Sequence, residues 1–227
     1  DGTMNAAAPS LAETGLALGI LPLGTANDLA RTLGLPMDPA AAARVVVAGA
    51  TRRIDLGEVN GHPFFNVASL GLGVAVAEGL TRELKRRWGT LGYAIATLRA
   101  LWRMRPFRIE IRCNDEVLHA RTLQVAIGNG RHYGGGMTIA EGARIDDGHL
   151  HLYSLEVERL WRLALLYPAL RAGRHGQWSE VRTLRCPEIE LRTRRPHRVN
   201  ADGEIVSATP ARFRVRRGAV TVFVPGP

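Results

Sequence analysis

A chain of 227 residues, 46% of them apolar, is long enough to bury a full core and to hold one large or two small domains. Its formal net charge is +9 and Lys85 is its only lysine, so arginine carries the charge, and neither a Walker A lysine nor the strand lysine of a protein kinase has a counterpart. With no zinc-finger spacing, RNP-like aromatic strand or basic tail, nucleic acid is not the expected partner; an anionic surface or substrate suits the charge better.

The chain opens Asp1-Gly2-Thr3-Met4-Asn5, read as a small-residue turn with a carboxylate, a hydroxyl and an amide. Residues 5–17 are alanine-rich and predict a helix broken near Pro9 and Gly15, and residues 16–21 form an apolar run of strand length. Pro22-Leu23-Gly24-Thr25-Ala26-Asn27-Asp28-Leu29-Ala30-Arg31 then reads as a tight turn into a helix. Gly24 would permit the turn, Thr25 would be the N-cap and Asp28 would complete a capping box, with Leu29, Ala30 and Leu33 at helical spacing. Free amide N–H groups at such a helix start make an anion site, although capping alone is the commoner use of these residues. Residues 38–48 predict a second helix, with Asp38-Pro39 as N-cap and first helical position.

From Arg52 onward short β-rich runs alternate with hairpin signals at Asn60-Gly61, Asn114-Asp115, Asp147-Gly148 and Asp202-Gly203, the pattern of an antiparallel sandwich. The domain boundary is placed near Thr51, dividing residues 1–51 from 52–227. Helical segments are expected at 81–104 and 157–174. The first, bent at Gly89 and Gly92, is basic at both ends and apolar between, which suits either a solvated helix with one core face or an element lying on anionic lipid. Cys113 and Cys186 are far apart and lack CxxC or histidine companions, which argues against a disulfide framework or a structural zinc site. No run approaches the length of a membrane-spanning helix, and a cytoplasmic location is expected.

Several stretches carry chemistry or structure equally well. Residues 66–73 form a strand ending in glycines, and residues 125–130 another, followed by His132, Tyr133 and three glycines able to line a cleft. His149 and His151 share a strand face near Asp147, a transition-metal pattern that lacks a third ligand. Asp202-Gly203-Glu204 places two carboxylates at one turn.

Asp-Gly-Thr-x-Asn, followed after a helix-length segment by Pro-x-Gly-Thr-x-Asn-Asp-x-Ala-Arg, resembles the diacylglycerol kinase catalytic-domain family, which includes bacterial lipid kinases, sphingosine kinases and ceramide kinases. The likeness covers nearly the whole chain. Ala6 and Glu141 depart from the family's pattern, where an acidic residue or histidine and a proline are common. The resemblance implies an α/β + β fold: the C-terminal part of an α/β nucleotide-binding lobe in 1–51, with further α/β structure upstream, then an antiparallel β-sandwich lobe with inserted helices in 52–227. It implies transfer of the γ-phosphate of ATP to the hydroxyl of diacylglycerol or another lipid, with the acyl chains in an apolar cleft of the sandwich.

On the same resemblance, Asp1, Gly2, Thr3, Met4 and Asn5 cradle the nucleotide phosphates and Gly24 and Thr25 contact the phosphate region. Glu204 is the expected proton acceptor, and Asp1 organises magnesium and phosphates; which of the two carboxylates is the base stays open. A second, structural or regulatory magnesium would be held by the Asp147 carboxylate and the carbonyls of Arg144 and His149. The implied partners are a lipid substrate and an anionic membrane surface met peripherally, with a homodimer allowed. NAD kinase, which has a similar turn and sandwich but lacks the Pro-x-Gly-Thr-x-Asn-Asp-x-Ala-Arg signature, is the enzymatic alternative, and a non-catalytic module binding anionic lipid is the other.

Overall fold

The computed structural model describes residues 2–79, 105–134, 136–140, 142–157, 162–172, 174 and 177–226. Asp1, Glu141 and the expected basic helix 81–104, with Gly89 and Gly92, lie outside them.

The helical part comes first: α1 (Gly2–Thr14), α2 (Asp28–Thr32) and α3 (Pro39–Ala48). Then follow β1 (Thr51–Val59), β2 (His62–Phe64), β3 (Val67–Gly71), α4 (Leu72–Gly79), β4 (Phe107–Cys113), β5 (Glu116–Thr122), β6 (Gln124–Gly128), β7 (His132–Tyr133) and β8 (Met137–Thr138). The chain continues through β9 (Leu150–Leu155), α5 (Arg162–Ala172), β10 (Val181–Cys186), β11 (Glu188–Thr193), β12 (Arg198–Ala201), β13 (Glu204–Ala208) and β14 (Ala211–Phe223).

Two six-stranded sheets face each other, in the orders β2-β1-β14-β11-β4-β5 and β10-β9-β6-β3-β12-β13. Every pairing within them is antiparallel. The period-2 pattern explains the core between them. Ile109 and Ile111 on β4 and Ile189 and Leu191 on β11 point inward and meet Val125, Ile127, Leu150, Leu152 and Val199 of the opposite sheet. Among the described residues, side chains of both sheets fill the space between them. β6 and β9 are buried on both faces: their outer side chains, Ala126, Tyr153 and Leu155, are covered by Ile139, Ala143 and Leu166.

A second core joins the helices to the sandwich, with Ala8, Ile20, Leu29, Ala30, Leu33 and Leu35 packed on Ile54, Leu56, Phe65, Val220 and Val222. Burying each large aliphatic or aromatic side chain there contributes about 1.5–3 kcal/mol.

Five local expectations need correction. Residues 16–21 are not a strand: they hydrogen-bond to the sheet through a single parallel bridge from Leu18 to Val222, Ile20 packs into the second core, and Leu16 and Leu21 are 66% and 48% exposed. Gly2–Asn5 form the first turn of α1 rather than a loop, and Pro9 does not break that helix, whose Ala8 and Leu11 are held in the second core. Asp147-Gly148 is not a hairpin but part of the long connection from β8 to β9. Cys113 and Cys186 form a disulfide that ties β4 in one sheet to β10 in the other. Sequence separation hid that pair, because the strands carrying it meet only once the sandwich has closed.

The other three hairpin signals and the Asp38 cap are present. Asn60-Gly61, Asn114-Asp115 and Asp202-Gly203 all have both central residues at positive φ, as two-residue turns between right-twisted strands require. Asp38 accepts from the Ala41 N–H at 2.8 Å, and Pro39 opens α3.

Candidate active site

The helical part and the sandwich meet along a seam whose centre is Asn66, between β2 and β3. Its carbonyl accepts from the N–H groups of Asn129 (2.9 Å) and Gly130 (3.2 Å), just past β6. Its own N–H donates to the Asp202 carboxylate. Asn129 sends its side-chain amide to the carbonyls of Asp55 and Phe65, both at 3.0 Å. The Oδ1 atoms of Asn66 and Asn129 are buried and have no donor among the described residues.

The glycine-rich segment that follows binds α2. Thr32 Oγ1 accepts from the His132 N–H at 3.1 Å, and the Asp28 carboxylate, 6% exposed, accepts from the Gly136 N–H at 2.9 Å. Gly134 and Gly136 have φ of 59° and 105°, which allows this backbone to fold back on the helix. Burial pushes the His132 imidazole below the usual histidine range, with Arg131 and Arg31 acting the same way and Asp28 against them.

Asp202 and Glu204 divide the work of the second turn. Asp202 is half-buried, and its carboxylate accepts from Phe65 N (2.6 Å), Asn66 N and Val67 N (2.9 Å), so it pins the turn to the start of β3. Burial raises its carboxyl above the ordinary value, and those backbone N–H groups oppose the rise. Glu204, two residues on at the head of β13, is exposed, and its carboxylate makes no hydrogen bond or ion pair among the described residues. A fixed backbone with an uncommitted carboxylate is an arrangement that suits a proton acceptor.

The phosphate-side residues are arranged differently from the sequence expectation. Gly2, Thr3, Met4 and Asn5 lie in the first turn of α1, whose leading N–H groups have no acceptor within the helix. Thr3 is exposed, Met4 packs on the second core and Asn5 Oδ1 is buried without a donor among the described residues. Thr25 and Asp28 do not form a capping box. Helix α2 starts at Asp28, its N-cap is Asn27 at φ 52°, and no side chain caps it. Asn27 instead closes the loop on itself, accepting from Gly24 N at 2.9 Å and donating to the carbonyls of Pro22 (3.2 Å) and Gly24 (3.0 Å). The left-handed residue is therefore Asn27 and not Gly24, and the loop leaves Gly24 and Thr25 exposed.

The third group is the 144–151 loop. Asp147 Oδ1 accepts from the His149 N–H at 2.9 Å, Oδ2 lies 2.9 Å from His151 Nε2, and Arg185 reaches Oδ2 at 3.4 Å. The carbonyls of Arg144 and His149 accept no hydrogen bond from the described residues. A carboxylate beside two open carbonyls is a hard-oxygen donor set of the kind that suits magnesium. No group of three or more His, Cys, Asp or Glu side chains able to hold a metal occurs among the described residues, so the histidine pair does not complete a transition-metal site. Asp55, which the sequence reading passed over, ties this loop to the rest: its carboxylate accepts from Gly148 N and Gly218 N, both at 2.7 Å, and its N–H donates to Ile145 O. The available signal was a carboxylate set between Ile54 and Leu56 in a strand-like run.

The described structure is a helical unit packed along this seam against a two-sheet β-sandwich. Residues 1–59 match the family described as diacylglycerol kinase catalytic domain, and residues 66–224 match the YegS C-terminal NAD kinase beta sandwich-like domain. The chain belongs to the diacylglycerol kinase catalytic-domain family of lipid kinases. It is 36% identical over 227 residues to a Pseudomonas aeruginosa protein named "Probable lipid kinase YegS-like", covering 99% of this chain and 74% of that one. It is also 36% identical over 235 residues to a Mycobacterium tuberculosis protein named "Diacylglycerol kinase", with coverage of 99% and 74%. A solved chain from Bacillus anthracis str. Sterne shares the fold with TM-score 0.81 at 24% identity, over 98% of this chain and 74% of that one. No helix among the described residues is long and apolar enough to cross a membrane.

Proposed function

We propose that this chain carries the phosphoryl-acceptor side of an ATP-dependent lipid kinase, which transfers the γ-phosphate to the hydroxyl of diacylglycerol or a related lipid at an anionic membrane surface. The observation that carries the reading is Glu204, exposed and unbonded beside a turn that Asp202 fastens to β3. In the transfer, the lipid oxygen bonds to the γ-phosphorus, the bond from that phosphorus to the β–γ bridging oxygen breaks, and the lipid hydroxyl's proton passes to Glu204. The first turn of α1 and the exposed Gly24-Thr25 loop supply N–H and hydroxyl donors for phosphate oxygens, with Asp1 as the carboxylate on the nucleotide side. Magnesium, when bound, neutralises phosphate charge; Asp147 with the carbonyls of Arg144 and His149 would hold a further ion, away from the reacting groups and fixed through Asp55.

Transfer of labelled γ-phosphate from ATP to a panel of lipids, with NAD as a control acceptor, tests the reading. Label should enter a lipid and not NAD. Glu204→Gln should lower turnover by about a hundredfold or more, the usual range for a lost general base, and leave the melting temperature in place because the Glu204 carboxylate has no partner among the described residues. Label in NAD alone, or full turnover in the Gln variant, would refute it.

A further inference from the structure

The outer face of the first sheet is laced with ion pairs. Glu110 holds Arg112 at 2.7 Å and His119 at 3.6 Å, Glu190 holds Arg192 at 2.7 Å, Glu188 holds Arg212, and Glu58 holds Arg214 at 2.6 Å and Arg216 at 4.0 Å. All four carboxylates are thereby committed. Three arginines at one end of the sheet stand outside this network. Arg108 and Arg121 lie directly opposite each other across β4 and β5, and Arg194 follows β11 immediately. All three are exposed, and none has a carboxylate within ion-pair distance among the described residues.

These three arginines line one open groove of about 560 Å³. The two acidic residues in its wall do not neutralise them: Glu110 is engaged by Arg112 and His119, and Glu156 takes a two-pronged bond from Arg182 at 2.7 and 3.1 Å. Like charges facing each other across a strand pair oppose folding. Here the repulsion is concentrated on a concave wall, where a bound anion would relieve it.

We propose that this groove binds a phosphate group. Arginine forks suit phosphate because each presents parallel N–H donors to two oxygens while staying charged at all working pH values. Three uncompensated cations match a multiply charged anion better than a lone carboxylate, and the groove is open enough to admit a phosphate still attached to a larger body. The inference stands on these contacts and not on the phosphotransfer reading. Two sources share the chemistry, a phospholipid headgroup at a bilayer surface and phosphate free in solution.

The test compares two variants of equal charge loss. Arg108→Gln/Arg121→Gln/Arg194→Gln removes the groove's unpaired cations, whereas Arg112→Gln/Arg212→Gln/Arg214→Gln removes paired ones from the same sheet face. One arm measures inorganic phosphate and pyrophosphate by titration calorimetry. The other measures cosedimentation with vesicles of equal parts phosphatidylcholine and phosphatidylglycerol, against phosphatidylcholine alone. Binding in either arm should weaken by about tenfold or more in the groove variant and clearly less in the paired-residue variant, and the arm that responds identifies the source. The groove variant should melt no lower than wild type, which separates lost binding from lost fold. Equal weakening in both variants, full binding in the groove variant, or no binding in either arm would overturn the proposal.

Discussion

His132 shows how one side chain reports on the seam. It is held through its backbone by Thr32 and lies among Arg131, Arg31 and Asp28, with burial as the main reason its imidazole titrates low. A histidine depressed in the folded state contributes stability that is complete above the unfolded value near 6.5 and is lost as pH falls through the folded value. Urea midpoints of wild type and His132→Gln should therefore diverge as pH drops below about 6.5, with wild type losing stability relative to the variant. Parallel pH curves would show that the ring is solvated. At this scale the sequence displayed the carboxylates but not their division of labour. Asp202 and Glu204 look equivalent in a string, and only the start of β3, 135–137 positions earlier in the chain, makes one a structural anchor and leaves the other open. Asn66 and Asn129 were less legible still, since an asparagine beside a strand carries no mark of the strand it will meet.

Among elements, those whose signals are local formed where expected. Helix α3 is the clearest: Asp38 accepts from Ala41 N, Pro39 enters without needing a donor partner, and Gly49 ends it at φ 77°. Asp38→Ala should cost about 1 kcal/mol in urea unfolding, the common value for a lost N-cap, and Asp38→Ser should recover most of it. Equal stability of the Ala variant would mean that the bond seen at 2.8 Å contributes nothing. Elements failed where long-range groups claimed the local signal. Asp147-Gly148 has turn chemistry, but Asp147 is taken by His149, His151 and Arg185 and Gly148 N by Asp55, so the pair builds a loop. Residues 16–21 have strand composition but bond to β14 through Leu18 alone among the described residues, and α2 waits for Asn27 to close its loop before it can begin.

For the whole molecule, the alternation of apolar and polar residues made the sandwich legible, while the strand order was not, because it depends on contacts across most of the chain. Phe65 is the side chain that ties the parts together: its ring is buried in the helical core, its N–H is held by Asp202 and its carbonyl accepts from Asn129. Phe65→Ala should cost about 3–5 kcal/mol in urea unfolding, by lost burial and the cavity left behind. A cost under about 1 kcal/mol would show that helices and sandwich are not packed as one unit. The disulfide between Cys113 and Cys186 joins the two sheets at another point, 73 residues apart in sequence.

The long final strand, β14, pairs with β11 near its start and with β1 along most of its length, and its side chains enter both cores, Phe213 in one and Val220 and Val222 in the other. It also bonds to Leu18 near the opposite end of the sequence. Neither core is complete without it, and β1 and β11 each keep one edge unpaired until it slides between them.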